Sequence, residues 1–189
     1  MSALTDHDRY ALLELARSVI ESELIKGQAV CRPEHLSSAL REKRGCFVTL
    51  HKGGALRGCI GTIDPEMALV DSVEENALNA AFRDPRFPPL SREELSGIEI
   101  EVSVLTPPTV LEFSDEADLK AKLKPDIHGV ILSRGWQRST FLPQVWKQLP
   151  DTEDFLGNLC QKAGMERTCW KDKNTIIKVY EAEYFSEKT

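Results

Sequence analysis

Gly45-Cys46-Phe47-Val48-Thr49-Leu50-His51-Lys52-Gly53-Gly54-Ala55-Leu56-Arg57-Gly58-Cys59-Ile60-Gly61-Thr62 is the stretch on which the rest of the chain turns. Two apolar, β-prone runs flank Gly53-Gly54, which is the signature of a hairpin. Side chains alternate between the two faces of a strand, so the second run sets Arg57 and Cys59 on one face. Gly58 and Gly61 weaken a strand, and a sequence carries that cost where another backbone or a ligand must come close. Arg57 is a permanent cation, and a nearby cation favours the thiolate, which is the nucleophilic form of cysteine. One reading is a small site with a reactive thiol and an anion-binding arginine. The other is a buried structural cysteine in a tightly packed strand, with Arg57 paired to a carboxylate.

Outward from the hairpin, periodicity lays out alternating elements. Leu12, Ala16, Val19, Ile20 and Leu24 recur at helical spacing behind Thr5 and Asp8, up to Lys26-Gly27. Pro33 opens a shorter helix through Leu36 and Leu40, ending near Gly45. After the hairpin, Asp64-Pro65 begins a helix whose stripe is Leu69, Val73, Ala77 and Ala80-Ala81, ending before Pro85. Ile98 to Leu105 alternates strictly and is a strand, with Glu99, Glu101 and Ser103 on its polar face. A short helix follows within 114–124. A second hairpin joins 129–134 to 138–142 around Gly135-Trp136-Gln137, with Trp136 exposed at its tip. A helix capped at Asp151 or Thr152 runs to Gly164, and a final strand covers 175–185.

Residues 46–105 and 129–185 thus share the order hairpin, helix, strand, with little side-chain identity. This predicts an α+β fold of two similar lobes, each a largely antiparallel sheet with flanking helices. Lobe one covers about 1–112 and lobe two about 113–189, within a single domain of 189 residues.

Composition narrows the function. The 41% hydrophobic content suits a globular chain, and this length buries roughly 70% of its unfolded surface without staples. A net charge of −6 without a basic run argues against nucleic acid. The N-terminus has no signal-peptide pattern, and there is no apolar run long enough to cross a membrane. The five cysteines include no Cys-x-x-Cys pair, so no zinc or iron–sulfur cage is written here. His51 and His128 lack ligand spacing, and no metal is assigned. Reduced thiols in the cytoplasm fit this usage.

Leu56-Arg57-Gly58-Cys59-Ile60-Gly61 resembles the signature hexapeptide of the AMMECR domain family, whose bacterial and archaeal members are called AmmeMemoRadiSam system protein A. Residues 81–90 (Ala-Phe-Arg-Asp-Pro-Arg-Phe-Pro-Pro-Leu), 101–105 and 140–146 agree with it. The resemblance implies two similar α+β lobes and work in a pathway shared with Memo-like and radical SAM proteins. It implies no particular reaction, and substrate and cofactor stay unknown. His128-Gly129 and Arg138-Ser139-Thr140 depart from the usual family pattern.

With a rough two-fold between lobes, a cleft would gather Arg57 and Cys59 from one lobe and Arg138, Thr140 and Gln144 from the other. Arg83, Arg86 and Glu101 would line its rim, with Asp84 pairing one of the arginines. An enzyme or substrate-handling component, with Cys59 as nucleophile or redox thiol and Arg57 as anion clamp, is the first functional expectation. A noncatalytic protein that binds a small molecule or docks a partner is the alternative.

Overall fold

The computed structural model describes residues 2–64 and 66–187. Its elements in chain order are helix α1 (Asp6–Leu24), the single turn α2 (Ser38–Arg41), strands β1 (Cys46–Lys52) and β2 (Ala55–Thr62), helix α3 (Leu69–Phe82), strands β3 (Ile98–Leu105) and β4 (Thr109–Val110), helix α4 (Glu116–Lys122), strands β5 (Gly129–Arg134) and β6 (Gln137–Phe141), helix α5 (Thr152–Lys162), and strands β7 (Ile176–Tyr180) and β8 (Ala182–Ser186). Two compact units result, Met1–Leu105 with Glu183–Thr189, and Thr106–Ala182. Each holds a four-stranded sheet, β2-β1-β3-β8 in the first and β4-β7-β5-β6 in the second. The α+β architecture with two sheet lobes is therefore present as the alternating patterns predict.

In the first unit α1 begins at a capping box, in which Thr5 and Asp8 satisfy each other's backbone N–H groups. Its buried stripe includes Leu12, Leu15, Ala16, Val19 and Ile20. The stripe packs with Leu69, Val73 and Ala77 of α3 against Val48, Leu50 and Ile100 of the sheet. Each leucine, isoleucine or valine among them contributes roughly 1.5–3 kcal/mol through removal from water. Gly53 and Gly54 turn the hairpin at φ 58° and 81°, in the left-handed region that favours glycine. Gly58 has a different task. A Cβ there would sit 2.2 Å from the Ala80 carbonyl oxygen, so α3 lies directly on the β2 backbone. The close approach that the glycine admits is that of a helix.

In the second unit Trp146 stacks on Phe155 at 3.6 Å between centroids, with the rings 4° from parallel. The Trp146 indole N–H donates to the His128 carbonyl at 2.8 Å, which settles its polar end inside the core. Trp170 is also buried, whereas Trp136 at the β5–β6 tip is 91% exposed. Both hairpins are flanked by their third strand on the same side, since β1 pairs β3 and β5 pairs β7, all antiparallel. The repeated order of elements is thus also a repeated pairing.

Four expectations change. Pro33 opens no helix; α2 starts only at Ser38, behind the N-cap Ser37, whose hydroxyl accepts from the Leu40 N–H at 3.3 Å. The helix expected from Asp64-Pro65 begins at Leu69, and Pro65 itself lies outside the described residues. The strand read over 175–185 is two strands, broken at Glu181, and the second half joins the other sheet. The thiols are not all reduced: Cys160 at the end of α5 is disulfide-bonded to Cys169, nine residues on, with Cα atoms 5.9 Å apart. Both are buried.

Two outcomes follow from this packing. Gly58→Ala drives a methyl into a backbone carbonyl and should lose about 1–3 kcal/mol in urea unfolding. Replacing Cys160 and Cys169 together by serine releases a short loop and should lower stability by about 2–3 kcal/mol, seen as an earlier thermal transition.

Candidate functional site at Cys59

β2 is the terminal strand of its sheet, and its edge is closed around one residue. The Cys59 N–H donates to Asp84 Oδ2 at 2.9 Å. The Cys59 carbonyl accepts from Arg86 Nη2 at 3.0 Å. Asp84 and Arg86 stand on the rigid turn after α3, which the Pro85 and Pro88-Pro89 punctuation stiffens. Asp84 takes three further hydrogen bonds from Arg86, namely its backbone N–H at 3.1 Å, Nε at 2.9 Å and Nη2 at 2.6 Å. The Asp84 carboxylate is buried and multiply paired. Arg86 above all, with the Cys59 amide behind it, holds the Asp84 carboxyl well below the usual carboxylate range.

The sulfur of Cys59 is half-buried and accepts from the Thr49 hydroxyl at 3.2 Å. Asp84 first, and the Cys59 side chain among the others, raise the Arg86 guanidinium further above its ordinary value. Thr49 faces Cys59 on one side and Glu101 of β3 on the other, so the three form a row across the sheet. His51 lies one step along that face, opposite Leu56. Cys46 is the contrast: burial pushes its thiol up to about 12, and it faces the helices.

Arg57 is placed otherwise than alternation suggests. The ladder pairs Leu50 with Gly58 but His51 with Leu56, which leaves Arg57 as the extra residue of a β-bulge. Strict alternation fails there, and the shared face with Cys59 does not follow. The buried guanidinium grips Glu94 through Nε at 3.0 Å and Nη2 at 2.9 Å, and Nη2 also donates to the Pro88 carbonyl at 2.9 Å. Its Nη1 is buried without a hydrogen-bond partner among the described residues. Arg57 and Arg86 both lie over the Phe87 ring, at 5.9 and 5.5 Å from its centroid. The cation bound to Cys59 is Arg86, through the Cys59 carbonyl; Arg57 ties the bulge to the turn that carries Arg86.

The structure therefore brings together Arg57, Cys59, Asp84 and Arg86, and sets Glu101 in the same row as Cys59. Arg83 turns back to Asn79 of α3 at 3.0 Å. Arg138, Thr140 and Gln144 belong to the second unit. Arg138 is opposite Ser133 on the β5–β6 ladder. The Thr140 hydroxyl donates to the Val130 carbonyl at 2.9 Å and lies 3.0 Å from the Tyr180 hydroxyl. Gln144 sits on the turn Pro143–Lys147, its Oε1 buried without a hydrogen-bond partner among the described residues. His128 is buried, with Nδ1 accepting from the Lys124 N–H at 3.2 Å; burial, then Lys124, lowers its pKa. Among the described residues no group of three or more His, Cys, Asp or Glu is arranged to hold a metal ion.

Sequence reasoning missed Thr49 and Glu94. Counting back from the Lys52–Ala55 pair without a bulge would set Thr49 against Gly58, so its contact with the sulfur was hidden. Glu94 had a visible signal: Ser91-Arg92-Glu93-Glu94 is a capping-box pattern, and it forms as such.

The family model AMMECR1 matches residues 13–185. The chain belongs to the AMMECR1 family. It is 44% identical over 177 residues to a protein of Methanothermobacter thermautotrophicus, covering 93% of this chain and 92% of that one. It is 39% identical to Protein MJ0810 of Methanocaldococcus jannaschii, over 99% and 94% of the two chains. The crystal structure of the uncharacterized protein PH0010 from Pyrococcus horikoshii matches with a TM-score of 0.85 at 39% identity, over 94% and 90% of the chains. The hexapeptide Leu56–Gly61 lies within β2, the strand that the Asp84–Arg86 turn closes.

The Glu94 pair has a pH signature. Arg57 first, then Lys52, lowers the Glu94 carboxyl to about 2 from an ordinary 4.5. A depressed carboxylate stabilises the fold above its unfolded value and loses that contribution as pH falls. Glu94→Gln should therefore be less stable than the parent at neutral pH. The gap should close between pH 4.5 and about 2, as followed by urea unfolding across that range.

Proposed function

We propose that the protein is an enzyme or substrate-handling component of a pathway shared with Memo-like and radical SAM proteins, working in the cytoplasm, and that Cys59 is its working thiol. The carrying observation is a half-buried sulfur on a residue whose N–H is held by buried Asp84 and whose carbonyl is held by the half-exposed Arg86. In this reading Cys59 acts as nucleophile or redox thiol on an anionic small molecule, whose charge Arg86 receives through its exposed side. Arg57 serves as a positioning residue, because its guanidinium is committed to Glu94 and Pro88. Thr49 orients the sulfur through its hydroxyl. No helix among the described residues is long and apolar enough to cross a membrane.

Iodoacetamide labelling at neutral pH, mapped by peptide mass spectrometry, tests the reading. Cys59 should label at least about tenfold faster than buried Cys46, with exposed Cys31 as the ordinary reference. Arg86→Gln should slow Cys59 and leave Cys31 unchanged. A Cys59 as slow as Cys46 would overturn the reading.

A second reading, partner docking without catalysis, has one observation in its favour: Trp136 is 91% exposed at a hairpin tip. Loss of a copurifying protein in Trp136→Ala, with Cys59→Ser indistinguishable from the parent, would support it.

A further inference from the structure

One face of the first unit's sheet gathers titratable side chains around the sulfur. On β1, Cys46, Val48 and Leu50 enter the core beneath the helices, so alternation sends Phe47, Thr49 and His51 to the opposite face. On β3, Ile98, Ile100, Val102 and Val104 enter the same core, which sends Glu99, Glu101 and Ser103 to that face too. Cys59 joins them, because its sulfur accepts from the Thr49 hydroxyl at 3.2 Å. His51, Cys59, Glu99 and Glu101 are all partly buried.

Register spaces these groups. Thr49 is directly across from Cys59, and His51, two residues further along β1, is directly across from Glu99. Directly opposed Cβ atoms lie about 4.5–5.5 Å apart and diagonal ones about 7–8 Å. His51 is thus the diagonal neighbour of Cys59, within the reach of an imidazole ring and one bridging water. Glu101 stands one strand further from the sulfur, beyond Thr49. A bulge re-aims the side chains beside it and twists the ladder, and this one falls at the step between Leu50 and His51. The backbone under both groups is held: β1 is paired on both sides, and the Cys59 N–H and carbonyl are taken by Asp84 and Arg86. The titratable groups that face His51 from the neighbouring strands are Cys59, Glu99 and Glu101, while Lys52 and Arg57 are committed to Glu94.

We infer that His51 is the general base for the Cys59 thiol, with Glu99 orienting its ring. The inference rests on the reading of Cys59 as the working thiol and supplies the proton acceptor which that reading needs. The Sγ–H bond breaks, its electron pair stays on sulfur, and the proton passes to one ring nitrogen of His51. The other ring nitrogen donates its N–H to the Glu99 carboxylate. The sulfur then attacks an electrophilic carbon of the substrate. The leaving group departs with its bonding electrons, and the imidazolium returns the proton to it. Histidine is the side chain suited to such transfer near neutrality.

The test follows iodoacetamide alkylation of the full chain across the neutral pH range by peptide mass spectrometry, with Cys31 as internal reference. The Cys59 rate should show a step on the acid side of the Cys31 profile. His51→Gln should remove that step and slow Cys59 at least about tenfold at neutral pH, with Cys31 and the thermal midpoint unchanged. Glu99→Gln should slow it less. Added imidazole should restore the rate in His51→Ala, a rescue that a structural role would not give. Should the His51 variants fail to fold, the NMR titration of the His51 ring carries the test, since coupled groups shift each other and it should move in Cys59→Ser. An unchanged rate in His51→Gln, or a His51 titration indifferent to Cys59→Ser, would overturn the inference and leave the working-thiol reading standing. Slowing with the step retained, or without rescue by imidazole, would give His51 a structural role and also overturn it. A parent Cys59 as slow as Cys46 would instead remove the reading beneath it.

Discussion

The buried carboxylate of Asp84 is the interaction on which the candidate site of the first unit depends. It receives the Cys59 amide, the Arg86 backbone and two nitrogens of the Arg86 guanidinium. A carboxylate has room for about four such donors, and here the set is filled. A buried anion is tolerated only when so satisfied. The same atoms fasten a loop to a strand edge, hold a guanidinium in one pose and fix the backbone beneath a thiol. Structure and candidate chemistry therefore share one group.

Around that group the hairpin is built from compromises that explain each other. Gly58 lets α3 settle on β2, and the turn after α3 then arrives at the height of Cys59. The bulge at Arg57 swings a cation out of the alternation and into Glu94, which the capping turn at Ser91 presents. The two arginines converge on Phe87 from different strands of argument in the sequence, one in the hexapeptide and one in the proline-rich turn. The two arginines that look like one constellation in the sequence are thus divided into one bound to the Cys59 carbonyl and one that supports the scaffold.

Much of the fold was legible because periodicity is local. The strict alternation of Ile98 to Leu105, the Gly53-Gly54 turn, the Thr5–Asp8 cap and the α5 stripe each report their own conformation within a few residues. What escaped was non-local. A bulge depends on what the partner strand demands, so Arg57 gave no sign of it. Nothing in the run from Thr175 to Phe185 marks Glu181 as a break, because the residues on both sides are equally good strand formers and only the sheets they join differ. Cys160 and Cys169 showed no metal spacing, and their pairing depends on how the chain returns after α5. At the site, Cys59, Asp84 and Arg86 were named from the sequence, but which arginine reaches Cys59 was decided by the bulge.

The passage of β8 back into the first sheet bears on how the chain is made. The second unit is a continuous insertion, Thr106–Ala182, inside a first unit assembled from two separated pieces. β7 and β8 are parted by Glu181 alone, so the closing strands of both sheets are synthesised in the same short run of chain. Neither sheet is complete until that run has been made, and β3 has β1 as its one neighbour until then.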